Sequence, residues 1–240
     1  ISAFILGDKK YLDDDVKNHY QELGVSHIFA ISGMHVSLIT SILFCILKKI
    51  KDNLKYFIVI SFLVIYVFLT GLQASVLRSV SFFIVNYLNK KYSFDLDIKN
   101  TFLVAIIVLL IIYPNLIIDI GFQYSSLISF SLINFNYLIK GNYFKTCLTI
   151  SIIAFLISLP ITINNNFEIN ILSIINNLFI VPYISYILYP LSILTFFIPI
   201  LDNLLFIFCN LIEVISSHLF VLNIIIPKMN IITIIIYYLC

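Results

Sequence analysis

From residue 28 onward the chain is a succession of apolar runs, at about 28–47, 56–72, 76–89, 101–118, 121–139 and 146–163, separated by short polar loops. A helix needs ~20 residues to cross the hydrocarbon of a bilayer. Only helices and closed barrels satisfy their own backbone in that medium. Runs of this length and number predict an all-α fold, a polytopic membrane bundle. Hydrophobic residues make up 61% of the chain and charged residues 11%, against ~25% charged in soluble domains, which excludes a large soluble core. The third run is short and is expected to be shielded by its neighbours. Beyond residue 168, Asn176-Asn177 and the prolines at 182, 190 and 199 interrupt the pattern, which suits broken or re-entrant helices as much as clean spans, before two last apolar runs at 203–226 and 230–240.

Residues 1–27 are polar and are read as a segment separate from a multi-pass domain over 28–240. Leu12, Val16, Tyr20 and Leu23 recur at helical spacing behind Asp13, Asp14 and Asp15, and Gly24 suits a C-cap. A short amphipathic helix on the membrane surface is expected. It carries five acids against three lysines, a net of −2. No basic n-region or cleavage pattern marks a signal peptide.

Lysine placement orients the bundle. Lys48, Lys49, Lys51 and Lys55 follow the first run, Lys90, Lys91 and Lys99 the third, and Lys140 and Lys145 the fifth, while the loops between carry none. Positively charged loops stay cytoplasmic, which places residues 1–27 outside. Asn164, Asn165, Asn166 and Glu168 are expected to form an ordinary outer loop. Cys45, Cys147, Cys209 and Cys240 are far apart with no CxxC spacing, so they read as small buried hydrophobes rather than as a zinc or redox site.

The only arginine of the chain, Arg78, lies in the third run. A guanidinium at mid-bilayer costs between ~3 and more than ~10 kcal/mol, so it must face a partner, a wet cavity or an interface. With the lysine-derived topology, three polar motifs fall at the same outer side: Gly24 to His35, Gly71 to Arg78, and Asp119 to Gln123. Their convergence points to a functional cavity. Each feature also has a plain reading. Gly33, Ser37 and Ser41 form a small-residue stripe suited to close helix packing. Asp119 either caps the helix near Gly121 or pairs with Arg78. His27 and His35 diverge by ~80° on a helix and lack a third ligand, so no metal site is expected.

The motifs resemble those of the bacterial competence family, the ComEC-like DNA-uptake channels. The resemblance rests on Gly7-Asp8, on Gly24 with Ser26-His27 through Ala30-Ile31-Ser32-Gly33-Met34-His35-Val36, on Gly71 with Arg78-Ser79, and on Tyr113-Pro114 followed by Asp119-Ile120-Gly121-Phe122-Gln123-Tyr124-Ser125. At residues 74–75 this chain has Ala-Ser where the family often places a proline. The resemblance implies a multi-pass channel in the bacterial inner membrane that passes single-stranded DNA into the cytoplasm during natural transformation. It would have a DNA receptor outside, a helicase-like ATPase inside, and the option of forming a homo-oligomer. His27, Ser32, Gly33, His35, Arg78, Asp119 and Gln123 would line the path, with Gly7, Asp8, Gly24, Ser26, Gly71 and Gly121 supporting it. Neither an OB-like nor a metallo-β-lactamase-like domain is visible in the chain.

The residues fit that task. A path dense in lysine would hold a polyanion too tightly to release it, because phosphate contacts dominate affinity. One arginine, two histidines and neutral polar groups bind more weakly. Tyr20, Tyr113 and Tyr124 offer stacking faces. No catalytic residue, cofactor or metal is expected, and no GxxxxGK[ST] motif occurs. Two rivals remain: an intramembrane serine hydrolase using Ser32 with His27, His35 or His218, and a small-solute transporter built on the broken helices. An outward-open polar cavity lined by His27, Ser32, Arg78 and Gln123 would favour the channel. A dry bundle with Ser32 bonded to a histidine would favour the hydrolase.

Overall fold

The computed structural model describes residues 23–24, 32–217 and 222–239. The helix expected before residue 23 lies outside them. Helices account for most of the described chain, as the apolar runs require. They are α1 (Gly33–Ile46), α2 (Asp52–Leu69), α3 (Ala74–Tyr92), α4 (Ile98–Ile112), α5 (Ile120–Asn134) and α6 (Tyr143–Asn166). After a short strand β1 (Glu168–Asn170) come α7 (Ser173–Tyr183), α8 (Tyr189–Phe197), α9 (Asp202–Ser217), strand β2 (Asn223–Ile225) and α10 (Ile231–Leu239). Within the stretch read as one multi-pass domain the helices cluster into two compact units. One runs from α1 to α5, and the other holds α6 to α10 together with Leu23 and Gly24.

In the first unit, α2 shows how a membrane helix divides its faces. Val59, Leu63, Tyr66 and Val67 form one stripe at helical spacing and are buried, while Phe57, Phe62, Ile65 and Phe68 stay exposed. Such a surface would be an aggregation hazard in water; in a bilayer the acyl chains cover it. Gly71 ends α2 at a φ of +68 with no atom near its missing side chain. Its N–H donates to Phe68 O and that of Leu72 to Val67 O, so the chain closes in a Schellman motif whose left-handed position selects glycine. The polar helix α3 holds Ser75, Arg78, Ser79, Asn86 and Asn89 and packs against α1, α2, α4 and α5. Its neighbours shield it, as expected, although it is longer than residues 76–89.

Four helical stretches are long and apolar enough to cross a membrane: Asp52–Leu69, Tyr143–Asn166, Ser173–Phe197 and Pro199–Ser216. This is a membrane protein. The C-terminal half carries short and interrupted helices, as the prolines predict: α7 has 11 residues and α8 has 9, and the helical path stops at Ile198 ahead of Pro199. At Asn176 and Pro182, by contrast, no break occurs. Asn176 and Pro182 lie inside one continuous helical path, which changes to π geometry at Ile184–Leu188, two residues past the proline. Proline removes one intrahelical hydrogen bond, and the π turns absorb the mismatch without ending the helix. The region read as an outer loop is also regular. Asn164, Asn165 and Asn166 close α6, and Glu168 opens β1, which pairs antiparallel with β2 in the register Glu168↔Ile225. The two candidate spans between these strands form an even number, so a chain that crosses twice returns to the side where the pairing needs it.

Pro160 sits inside α6 and leaves the carbonyl of Leu156 without its intrahelical donor. The hydroxyl of Tyr237 on α10 donates to that carbonyl at 2.7 Å. An orphaned carbonyl is costly where no water reaches it, so the tyrosine and the proline act as a pair. Tyr237→Phe is expected to lower stability in detergent by ~1 kcal/mol, and less than half of that in a Pro160→Ala background. Equal losses in both backgrounds, measured by thermal unfolding, would refute the coupling.

Candidate functional site

The start of α1, the first turns of α3 and the start of α5 meet in the first unit around Arg78. Residue 78 lies in the second turn of α3, and its side chain is only 8% exposed. Its Nε donates to Ser125 Oγ at 3.2 Å, and Nη2 lies 3.4 Å from Ser79 Oγ. The guanidinium carbon stands 5.6 Å from the centre of the Phe102 ring, within the range of a cation–π contact. Both serines are turned so that a lone pair faces the arginine, because their own protons go to carbonyls: Ser79 Oγ donates to Ser75 O and Ser125 Oγ to Phe122 O.

Gly33 makes room for this arrangement. A Cβ there would stand 2.8 Å from Ser79 Oγ and 3.3 Å from Arg78 Nη2. The small-residue stripe is therefore used at one end only. Ser37 and Ser41 are exposed, and their hydroxyls turn back to Gly33 O and Ser37 O. They lie on an open face of α1 with Met34, Leu38, Ile42 and Cys45, which corrects the expectation that they pack a neighbouring helix. Cys45 is exposed and Cys147 and Cys209 are half-buried, so these cysteines are not the buried hydrophobes expected.

Ser32 is the N-cap of α1, in extended conformation, and His35 occupies the third helical position. The backbone N–H of Ser32 donates to His35 Nδ1 at 2.9 Å. A glutamate or glutamine usually reaches back in this way; here an imidazole does so. Since Nδ1 accepts that bond, the ring proton of the neutral imidazole resides on Nε2. Ser32 Oγ is 3.0 Å from the same nitrogen, the contact a serine hydrolase would need first. The lone pair is already shared with a backbone N–H one helical turn away, so the contact is accounted for by the helix cap.

Asp119 resolves to its capping role. Its Oδ1 accepts the Phe122 N–H at 2.7 Å, its own carbonyl accepts that of Gln123, and the carboxylate is exposed. Among the described residues it makes no ion pair with Arg78, whose acceptors are neutral oxygens. Gly121 lies under the cap, where a Cβ would come 3.2 Å from Asp119 Oδ1. Gln123 Nε2 ties the start of α5 to Ile117 O at 2.9 Å. Gly7, Asp8, Ser26, His27 and His218 lie outside the described residues.

Gly24 belongs to the second unit. It has a φ of +73, and a Cβ would fall 2.6 Å from Ser173 Cβ. Asn176 Nδ2 donates to the adjoining Leu23 carbonyl at 3.3 Å, and Leu23 is fully buried with Ile180, Ile184 and Leu188. Sequence reasoning took Asn176 for a helix interruption and gave Phe102 no role. Ser79 and Ser125 were visible as motif members, but nothing in the spacing showed that they would serve as the arginine's acceptors. Among the described residues no cluster of histidine, cysteine and carboxylate side chains can hold a metal.

A family model described as Competence protein matches residues 4–240. The chain belongs to the competence protein family. It is 33% identical over 199 residues to ComE operon protein 3 of Bacillus subtilis, covering 79% of this chain and 25% of that one. It is also 29% identical over 163 residues to a protein of Mycoplasma pneumoniae described as an uncharacterized protein MG316 homolog, covering 67% of this chain and 42% of the relative. The Mycoplasma genitalium protein MG316, likewise uncharacterized, is 31% identical over 177 residues, covering 71% of this chain and 46% of its own. This competence family chain thus spans less than half the length of these relatives. No solved structure matches it.

Proposed function

We propose that this chain forms the membrane part of a DNA-uptake apparatus and passes a single strand across the bacterial inner membrane into the cytoplasm. The observation that supports this reading is the Arg78 cluster. Motifs from three distant segments meet at one buried guanidinium whose acceptors are serine oxygens and an aromatic face. A structural arginine in apolar surroundings would be expected to have a carboxylate partner. Neutral partners leave its charge available to a phosphate, which offers a stronger, forked set of acceptors.

Arg78 is buried, so the outward-open polar cavity expected of a channel is not seen among the described residues, and in this reading the arrangement is a closed one. An arriving phosphate would exchange with Ser125 and Ser79 and release them as the strand moves on. Asp119 plays no part in that exchange, since its carboxylate holds the start of α5. A receptor outside would deliver the strand past the acidic N-terminal segment, and a cytoplasmic ATPase would draw it through.

The test uses the full-length host protein with a photo-crosslinking side chain at position 123 and, as control, at position 57 on the lipid-facing side of α2. During uptake of labelled DNA the strand is expected to crosslink at 123 and not at 57. Undiminished uptake with no crosslink at 123 sinks the proposal.

A further inference from the structure

We infer that the loop joining α3 to α4 is a docking surface for single-stranded nucleic acid, formed by Tyr92 and Phe94 beside Lys90 and Lys91. This deepens the function proposed above and rests on it, since in that reading the lysine-bearing end of the bundle faces the cytoplasm, where the strand emerges.

The loop is built to hold its rings outward. Tyr92 is 59% exposed and Phe94 60%, with ring centres 5.8 Å apart and planes tilted by 36°. The Lys91 ammonium stands 5.5 Å from the Tyr92 ring and 5.7 Å from that of Tyr87. Between the rings Ser93 has a φ of 51, and Asp95 follows at 54. Non-glycine residues adopt this region at a cost, and such strain persists only where the surroundings enforce it. Asn89 enforces it here. Its side-chain amide donates to Leu96 O at 2.9 Å and accepts the Leu96 N–H at 3.1 Å, while its backbone carbonyl accepts the Phe94 N–H. Of the two acids in the loop, Asp97 is taken up in capping α4 through the Asn100 N–H, while Asp95 stays exposed next to Phe94, against the two lysines Lys90 and Lys91.

Exposed rings flanked by ammonium groups are the elements of sequence-tolerant strand binding, in which bases stack and phosphates meet cations. A headgroup anchor would use the same residue types, as lysine with tyrosine is common at membrane interfaces. It needs no particular backbone, however, and favours tyrosine over phenylalanine. The clamped, strained loop and the exposed Phe94 favour the strand.

The test measures binding of a fluorescent oligothymidylate to the full-length host protein in nanodiscs of neutral lipid. Wild type is expected to bind it, and to bind an abasic strand of equal length at least about fivefold more weakly. Tyr92→Leu with Phe94→Leu should abolish that preference, and Tyr92→Trp should keep it. Lys90→Gln with Lys91→Gln should weaken both strands and flatten the salt dependence. Equal binding of the two strands by wild type overturns the inference. So does a pair of lysine and aromatic variants that changes only association with anionic lipid vesicles, which would make the bilayer the partner. Neither result touches the path at Arg78, which stands or falls on the crosslink at position 123.

Discussion

Arg78→Met in the full-length protein is expected to leave its level in the membrane unchanged or higher while DNA uptake falls by about a hundredfold or more. The two halves of this prediction have separate physical origins. Methionine has an unbranched apolar stem that fills much of the arginine's volume beside Phe102. Replacing buried ionic groups by packed apolar ones is often neutral, or stabilising by ~1–4 kcal/mol, and both serines keep the carbonyls they already bond. Transport loses a charge-assisted contact worth ~1.5–3 kcal/mol for each hydrogen bond, and about 2.7 kcal/mol corresponds to a hundredfold. Arg78→Lys should fall between, since the charge stays but the planar fork and the Nε donor to Ser125 are lost. Uptake, surface-bound DNA and protein level must be scored separately. Normal uptake by the methionine variant at normal level would remove the arginine from the path. Collapse of the level would make it a structural residue.

How much of this was legible in the sequence depends on which interaction decides each feature. The positions of the first six helices follow from the apolar runs and the lysine loops between them. Of these six only α2 and α6 are long and apolar enough to cross a membrane, because α3 is polar and loops and caps take several residues from the ends of the runs behind α4 and α5. Arg78 and Asp119 could both be named as costly residues in advance, but their pairing could not be decided. A local cap, Asp119 to the Phe122 N–H, competes with a long-range ion pair, and sequence spacing carries no information on the Ser125 alternative 47 residues away. Propensity alone locates the break at Pro199 but does not tell a break from a continuous helix at Asn176 and Pro182. The structure buries Asn176 against the Leu23 carbonyl and accommodates the proline with π turns, both tertiary effects. The strand pair β1–β2 lies below any periodicity a three-residue segment can show, and its partners are separated by two candidate spans.

Gly24→Ala is expected to cause the largest loss of stability of any single methyl addition among the described glycines. Two costs combine at this position. A φ of +73 is unfavourable for alanine by ~1–2 kcal/mol, and the new Cβ would lie 2.6 Å from Ser173 Cβ, an overlap of the kind that costs ~1–3 kcal/mol. The total is a large part of the margin that holds a typical domain folded, so the protein should fall severalfold in the membrane. Ser173→Gly in the same chain removes the atom in the way but leaves the strained backbone, so the double variant should recover part of the level and not all of it. At Gly71 the comparison isolates the backbone term, because no atom lies within 4 Å of its missing side chain; Gly71→Ala should cost only the dihedral. A Gly24→Ala protein as abundant and heat-resistant as wild type would refute the anchoring of Leu23–Gly24 on Ser173 and Asn176. Uptake then separates structure from function. If the double variant regains uptake in proportion to its level, Gly24 serves only to seat the chain ahead of Ser32, Gly33 and His35. Regained level without uptake would make Gly24 part of the transport path.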